Sequence, residues 1–417
     1  MISRIGFIGL THLGFIYSLA AAKKGFKVIA FDFDRDLIFN LNNNKLHIDE
    51  PGSKSILKNY KKNIHYTPDL REISQCDIVF FSYDTPTNDK LESDINLIKN
   101  KVKNSLKEIN KKSYFIILSQ VIPGFTEKIN FPKKNLFYQV ETLIFGKAIK
   151  RALYPERIII GYSNNKIPLI LSNFFQKFSN NIIITDYATA ELSKISINLY
   201  LSSTLATTNT INELSKKLNT NWGDLKSILS LDKRIGKYSY LNPGLGLSGG
   251  NIERDHLNFI NLSKKNNTNA SLIKVLIQNS KKNRIQFLNI LREKIKNHST
   301  LLIYGLTYKE NTHSTKNSIA LDIIKIFKNK LKIFYYDKNL LQRSQNILLN
   351  YYDFKSKQNN NINYLIILHK PLNTHIFKIL RHINSKKNYF IFDPYNYLDS
   401  SLINNKFKKE YYYSLKK

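Results

Sequence analysis

Short apolar runs, each closed by a polar or glycine turn and several followed by helical spacing, decide what this chain can fold into. RIGFIG, KVIAFDFD, DIVFFSYD, YFIILSQ and RIIIG fill the first part of the sequence in this way. Such runs read as strands buried on both faces, and strands alternating with helical stretches predict βαβ units and a parallel sheet covered by helices. The alternation returns late in the chain as STLLIYGL, LKIFYYD, NYLIILH and NYFIFDP, joined by Asn-rich loops such as KQNNNIN. Between the two regions, residues 186–218 contain neither Pro nor Gly. They predict a helix longer than globular domains usually carry, with more helical pattern up to about Asn297. The expectation is an α/β protein. Two doubly wound parallel-sheet domains, residues 1–185 and 296–417, are joined by a helical central domain, residues 186–295, with a long connecting helix. A chain of 417 residues has room for two or three such cores.

Composition narrows the class. Apolar residues make up 42% of the chain, an ordinary globular share. No run of about 18 apolar residues is present, so no membrane span is expected. The opening MISRIGFIGLTHLGFIYSLAAA has the charge and Ala cluster of a secretory leader, but Lys23, Lys24 and a second apolar run follow at once. A strand, a turn and a helix account for it better, which places the protein in the cytoplasm. The net charge of +33 comes from Lys spread along the whole chain among Asn, Ile and Tyr. It gathers into no basic stripe interleaved with aromatics, so we read it as compositional and not as a nucleic-acid footprint, although it would attract anionic nucleotides. The single Cys76 lies in an apolar run and reads as a small buried hydrophobe; disulfides and Cys-based metal sites within the chain are excluded, and no metal is expected.

The turn after the first strand reads GLTHLG. A dinucleotide-binding turn reads G-x-G-x-x-G, where the glycines allow the tight turn, the approach of a pyrophosphate and close helix packing. Gly9, Leu13 and Gly14 fit that Rossmann pattern. Thr11 stands at the second glycine, where its Cβ should crowd or shift a pyrophosphate. Asp32 closes the second strand at the right distance to accept from a ribose 2′-hydroxyl, which favours NAD over NADP. By itself the turn serves equally well in a βαβ unit that binds nothing.

Other segments add to it in order. HIDEPG (residues 47–52), DTPT (84–87), SQVIPGFT (119–126) and VETLIFGKAI (140–149) are followed by AELSKISIN, DKRIG, PGLGLSGGNIERD, YGLTYKENTHSTKNSIAL, YYD and FDPYN. Lys194 and Asn198 are four residues apart, on one helix face. The glycine loop from Pro243 to Gly250 offers backbone N–H groups with few side chains in the way. Asp255 closes that loop, where it could cap the next helix.

This series resembles the UDP-glucose/GDP-mannose dehydrogenase family over about residues 3–398. The resemblance implies an NAD-dependent enzyme that oxidises the primary alcohol of a nucleotide sugar twice, to a carboxylate, for polysaccharide and cell-surface glycan synthesis. It implies a homodimer built through the central helix. It assigns Gly9, Thr11, Leu13, Gly14, Asp32, Thr85, Pro86 and Ser119 to the cofactor, and Arg234, Tyr240, Gly244, Gly246, Gly249 and Lys309 to the substrate. It places Lys194 and Asn198 on the oxygen that develops charge, Asp255 beside the attacking water and Glu141 at the kept acidic position. At the family's catalytic Cys this chain has Asn251. Thr11, Gln120, Phe145 and Tyr395 also replace groups the family uses, and Lys316 stands for an Arg, keeping the charge but losing the planar fork. A thiolate adds to an aldehyde and leaves as a thioester that water can cleave; an Asn amide does neither. Three readings follow: a dehydrogenase whose thioester step is impaired or replaced, an inactive nucleotide-sugar-binding pseudoenzyme, or a partner subunit of an active paralogue.

Overall fold

The computed structural model describes residues 4–88, 93–340, 350–352, 362–384, 389–398 and 411–415. The chain divides into two compact units, Met1–Ile197 and Asn198–Lys417. The first is built on a sheet of eight strands: β1 (Arg4–Ile8), β2 (Lys27–Phe31), β3 (Ile64–Thr67), β4 (Ile78–Phe81), β5 (Tyr114–Ile117), β6 (Leu136–Gln139), β7 (Ile158–Gly161) and β8 (Ile182–Thr185). Their order is β3-β2-β1-β4-β5-β6-β7-β8. β1 lies between β2 and β4, so the chain reverses direction across the sheet there, and the crevice at that point is where open α/β sheets take ligands. Both faces are packed. Phe7 and Phe80 enter one core with Phe15 of the first helix (His12–Lys23), while Ile8 and Phe81 enter the other. That two-sided burial is why these strands read as unbroken apolar runs.

One pairing departs from the expected parallel sheet. β6 and β7 run antiparallel, with Tyr138 opposite Gly161 and Gln139 opposite Ile160. β3, β6 and β8 were not among the expected strands. IHYT and LFYQ are short and mixed in polarity, and β8 is only partly buried. The long helix runs from Tyr187 to Lys217. Its start is capped by Asp186, which accepts from the Thr189 backbone N–H (2.8 Å) and hydroxyl (2.6 Å). It packs closely on β7, where a Cβ on Gly161 would meet Tyr187 and Ala190 at 3.0 Å.

The second unit carries a sheet of six strands: β9 (Thr300–Tyr304), β10 (Lys332–Tyr336), β11 (Asn350–Tyr351), β12 (Tyr364–Ile367), β13 (Phe390–Phe392) and β14 (Tyr412–Tyr413). The order is β11-β10-β9-β12-β13-β14, and every pairing is parallel. This is the doubly wound order again, with its reversal between β9 and β12. The helix Ser271–Lys294 places Phe287, Leu288 and Leu291 on one face of this sheet. The protein is thus α/β with two Rossmann-like sheets separated in the chain by helical segments, as the sequence pattern predicts. Among the described residues no helix is long and apolar enough to cross a membrane.

Candidate active site

The first βα turn is drawn tight by its glycines. Gly9 has φ +96° and donates its N–H to the Phe31 carbonyl (2.9 Å). A Cβ on Gly14 would lie 1.8 Å from the Gly9 carbonyl oxygen, so only glycine lets the helix pack this close to the strand. Asp32 is buried at the end of β2; its carboxylate accepts the Leu10 N–H (2.7 Å) and the Asp34 N–H (3.1 Å). A cleft of about 290 Å³ opens beside the turn, lined by Thr11, Asp32, His47, Tyr83, Asp84 and Pro86 among others. Burial lowers the pKa of the His47 imidazole, whose Nε2 lies 2.8 Å from the Leu10 carbonyl and so carries the proton it donates there.

Thr11 is tied into the neighbouring loop. Its hydroxyl accepts the Asp84 N–H (2.7 Å) and donates to the Ser82 carbonyl (3.3 Å), and the Asp84 carboxylate accepts the His12 N–H (2.8 Å). The His12 ring stacks on Phe145 (4.1 Å) and meets Glu50 (3.2 Å), which also accepts the Gly146 and Ala148 N–H groups. Thr85 and Ser119 lie buried behind the cleft. Thr85 donates to the Gln120 carbonyl (2.5 Å) and Ser119 to the Tyr83 carbonyl (2.6 Å), which fastens the β4 and β5 loops together. Leu13 is buried in the first turn of the helix.

An NAD molecule fits part of this arrangement. The tight turn made by Gly9 and Gly14 and the strand-end Asp32 suit the ribose side, while the helix N-terminus already has the Asp84 carboxylate on it. When bound, NAD would accept a hydride from the substrate.

The long helix carries the polar pairs. Lys194 meets Glu141 at 2.5 Å with both side chains 12% exposed, and Glu141 also accepts the Leu143 N–H (3.0 Å). One turn before, Glu191 is buried and accepts the Gly124 (2.6 Å) and Thr126 (2.8 Å) N–H groups, holding the loop after β5. In the second unit Asn198 donates to the fully buried Asp255, whose other oxygen faces the Arg254 Nε at 3.4 Å. The expected cap does not form: Asp255 is the fifth residue of the helix Asn251–Lys265, turned into the interior, and Gly250 holds the cap position. Asn251 opens that helix with an exposed side chain.

The glycine loop does not present all its glycines for a ligand. Gly246 has φ +98° and a Cβ there would lie 2.6 Å from the Ser280 carbonyl; Gly249 has φ +79° and faces the Tyr308 ring at 2.8 Å. Two loop donors are also engaged, Gly244 N–H by Asn209 (2.8 Å) and Leu247 N–H by Ser280 (2.7 Å). Only Gly244 has open space, with Leu205 at 3.8 Å and Tyr395 at 4.0 Å. Arg284 fastens the loop by donating to the Leu247 carbonyl, Asn317 and Asp322. Lys309 is half-buried near Tyr308, while the exposed Tyr240 accepts from Thr208 through its carbonyl. Arg234 is 89% exposed and folds back on Asp232 at 2.7 Å, so the structure does not gather it with the other candidates.

The second sheet repeats the first turn. Gly305 (φ +102°) donates to the Tyr336 carbonyl (2.8 Å), and Asp337 at the end of β10 accepts the Leu306 (2.8 Å) and Thr307 (2.9 Å) N–H groups. Asp84, His12, Glu50, Glu191 and Arg284 were not singled out from sequence. Each acts on a partner 33 to 98 residues away, which local spacing does not reveal.

A repeated strand-end carboxylate below a glycine turn, on two sheets of doubly wound order, is the arrangement of nucleotide-binding α/β proteins. Residues 3–179, 188–282 and 302–400 match the NAD binding, central and UDP binding domains of the UDP-glucose/GDP-mannose dehydrogenase family. The UDP-glucose 6-dehydrogenase of Campylobacter jejuni is 31% identical over 77% of this chain and 82% of its own length. That of Rickettsia conorii is 29% identical over 78% of each. A UDP-glucose dehydrogenase structure from Pyrobaculum islandicum superposes with a TM-score of 0.85 at 18% identity, covering 100% of this chain and 98% of that one. The UDP-N-acetyl-mannosamine dehydrogenase Cap5O of Staphylococcus aureus gives 0.77 at 22%, covering 99% of each. The chain belongs to the UDP-glucose/GDP-mannose dehydrogenase family, and its cofactor is NAD.

Proposed function

We propose that the protein oxidises the C6 alcohol of a UDP-sugar with NAD, in the cytoplasm, for polysaccharide synthesis, and that its reaction stops at or slows after the aldehyde. The observation that carries this reading is the pair of contacts on the long helix: Lys194 on buried Glu141 and, one turn later, Asn198 on buried Asp255. Within the first unit the Lys194 cation, held by Glu141, is a preorganised donor for an oxygen on which charge develops, and within the second the Asn198 amide, held by Asp255, is another; such donors commonly contribute several kcal/mol in a dry site. When bound, NAD would take the hydride of the alcohol carbon, while Lys194, held by Glu141, would steady the alcohol oxygen as its proton passes to water. Asp255, at the family's water-assisting position, serves a hydrated aldehyde if a second oxidation follows. Asn251 offers no nucleophile for a thioester route. The UDP preference rests on the match of residues 302–400 to a UDP binding domain and on the names of the relatives.

The protein is proposed to act as a homodimer. Tyr200 and Leu214 on the long helix, Leu218 just after it, Ile228 and Leu231 on the helix Trp222–Leu231, and Tyr238 beyond that are exposed apolar side chains, in keeping with a covered face. The proposed role of Arg234 belongs with that assembly, since among the described residues Asp232 is the partner it has.

NADH release with a panel of UDP- and GDP-sugars, with product masses, tests the reading. One NADH per sugar and an aldehyde mass is the expected result. Two NADH would show acid formation without a thiol. Tight sugar binding with no NADH refutes the reading in favour of a pseudoenzyme or partner subunit, which the carboxylate on the His12 N–H would suit. In Asn251→Cys, a second NADH per sugar is expected if the rest of the site is intact.

A further inference from the structure

We infer that Asp84 is a built-in competitor for the cofactor's pyrophosphate. In a dinucleotide-binding βαβ unit the pyrophosphate rests on the first helix, taking the free N–H groups of its opening turn. Here the N–H of His12, the first residue of that helix, is already given to Asp84 Oδ2 at 2.8 Å. The same acceptor type sits on the same donor: an anion of the chain stands where an anion of the ligand belongs.

Thr11 is part of the device. At the position where the turn pattern has glycine, its hydroxyl accepts the Asp84 N–H at 2.7 Å and donates to the Ser82 carbonyl. The side chain that crowds the pyrophosphate therefore also anchors the residue that replaces it. On the other side, the His12 ring is engaged by Phe145 and Glu50, so it does not turn to neutralise an incoming phosphate. Asp32, Asp34 and Lys101 line the same cleft, so a dinucleotide meets two further carboxylates and one ammonium along it. Asp84 is exposed as a residue, but burial raises the pKa of its carboxyl, so the group has to leave a desolvated position for NAD to bind. The consequence is a penalty paid by ligands with a pyrophosphate and not by a nucleoside, which reaches Asp32 without touching the helix end. The inference rests on NAD as cofactor and not on turnover.

The test is calorimetric titration of the full chain and its Asp84→Gly and Asp84→Asn variants with NAD, ADP-ribose and adenosine, each variant first checked by thermal melting. Asp84→Gly frees the N–H; Asp84→Asn keeps an acceptor without the charge and serves if the glycine variant does not fold. We expect NAD and ADP-ribose to bind at least tenfold more tightly to Asp84→Gly, with a smaller gain for Asp84→Asn, and adenosine to change less than twofold. NAD affinity within twofold of the parent in both variants overturns the inference. So does an equal gain for adenosine, which would mark a general reshaping of the cleft, and so does a glycine variant that folds yet binds no NAD. Turnover is not read, so a failed dehydrogenase assay leaves this result standing and a failed titration leaves that one standing.

Discussion

Gly246→Ala should destabilise the second unit severely, while Gly244→Ala two positions earlier should barely register. At Gly246 the new methyl lands 2.6 Å from the Ser280 carbonyl oxygen and 2.8 Å from its hydroxyl. The first is backbone of a long helix and does not swing aside; the second accepts the Leu247 N–H and would have to leave it. Holding Ala at φ +98° costs about 1–2 kcal/mol, forcing a methyl into packed space about 1–3 kcal/mol, and a displaced hydrogen bond about 1 kcal/mol. With partial relaxation the sum is about 2–5 kcal/mol. At Gly244 the nearest atoms are 3.8 and 4.0 Å away, ordinary contact, so a change within about 0.5 kcal/mol is expected. The only tryptophan, Trp222, is buried in this unit and donates to the Leu241 carbonyl at 3.2 Å, so its fluorescence during urea unfolding reports on this region alone. Extrapolated stabilities of the two variants are then compared with the parent. Equal losses, or a loss below about 1 kcal/mol for Gly246→Ala, would refute the view that this glycine serves the loop's own packing.

Glu141→Ala leaves the Lys194 ammonium buried and unpaired, and should cost about 3–5 kcal/mol in the first unit, with Glu141→Gln milder; chemical denaturation followed by circular dichroism checks it. The second unit should lose stability as pH falls below the ordinary histidine range. Burial lowers the pKa of His256, which donates from Nδ1 to the Ile252 carbonyl and receives the Ser202 hydroxyl at Nε2. Between its folded pKa and about 6.5 the unfolded chain binds the extra proton, so stability rises with pH in that window and levels off above it. His256→Gln should flatten that slope in Trp222-monitored unfolding at several pH values; an unchanged slope would point to other histidines. On the proposed homodimer, Leu231→Glu, at a side chain 82% exposed, should lower the mass found by light scattering to that of a monomer without lowering the melting temperature; an unchanged mass counts against this face as the interface.

The strands came through in sequence wherever burial on both faces left a continuous apolar run: β1, β2, β4, β5 and β7, and β9, β10, β12 and β13. The long helix came through as well, because a stretch without Pro or Gly has only one regular structure open to it at that length. Motif order in one dimension also identified the family, since each loop follows its own strand. β3, β6 and β8 did not come through: IHYT and LFYQ mix polar with apolar residues, and β8 is only partly buried. The contacts made by the candidate site residues join distant segments. Asp255 reads as a cap beside a glycine loop, yet a helix starting four residues earlier turns it inward to Asn198. Gly246 and Gly249 read as clearance for a ligand, yet Ser280 and Tyr308 fill that space. Thr11 reads as one wrong letter in a phosphate turn, and only the fold brings Asp84, 73 residues away, onto its hydroxyl. Local spacing governs which elements form, because helix and strand are set by neighbours in the chain. Which donor meets which acceptor depends on the packing of whole elements, and that is decided only when the chain has folded.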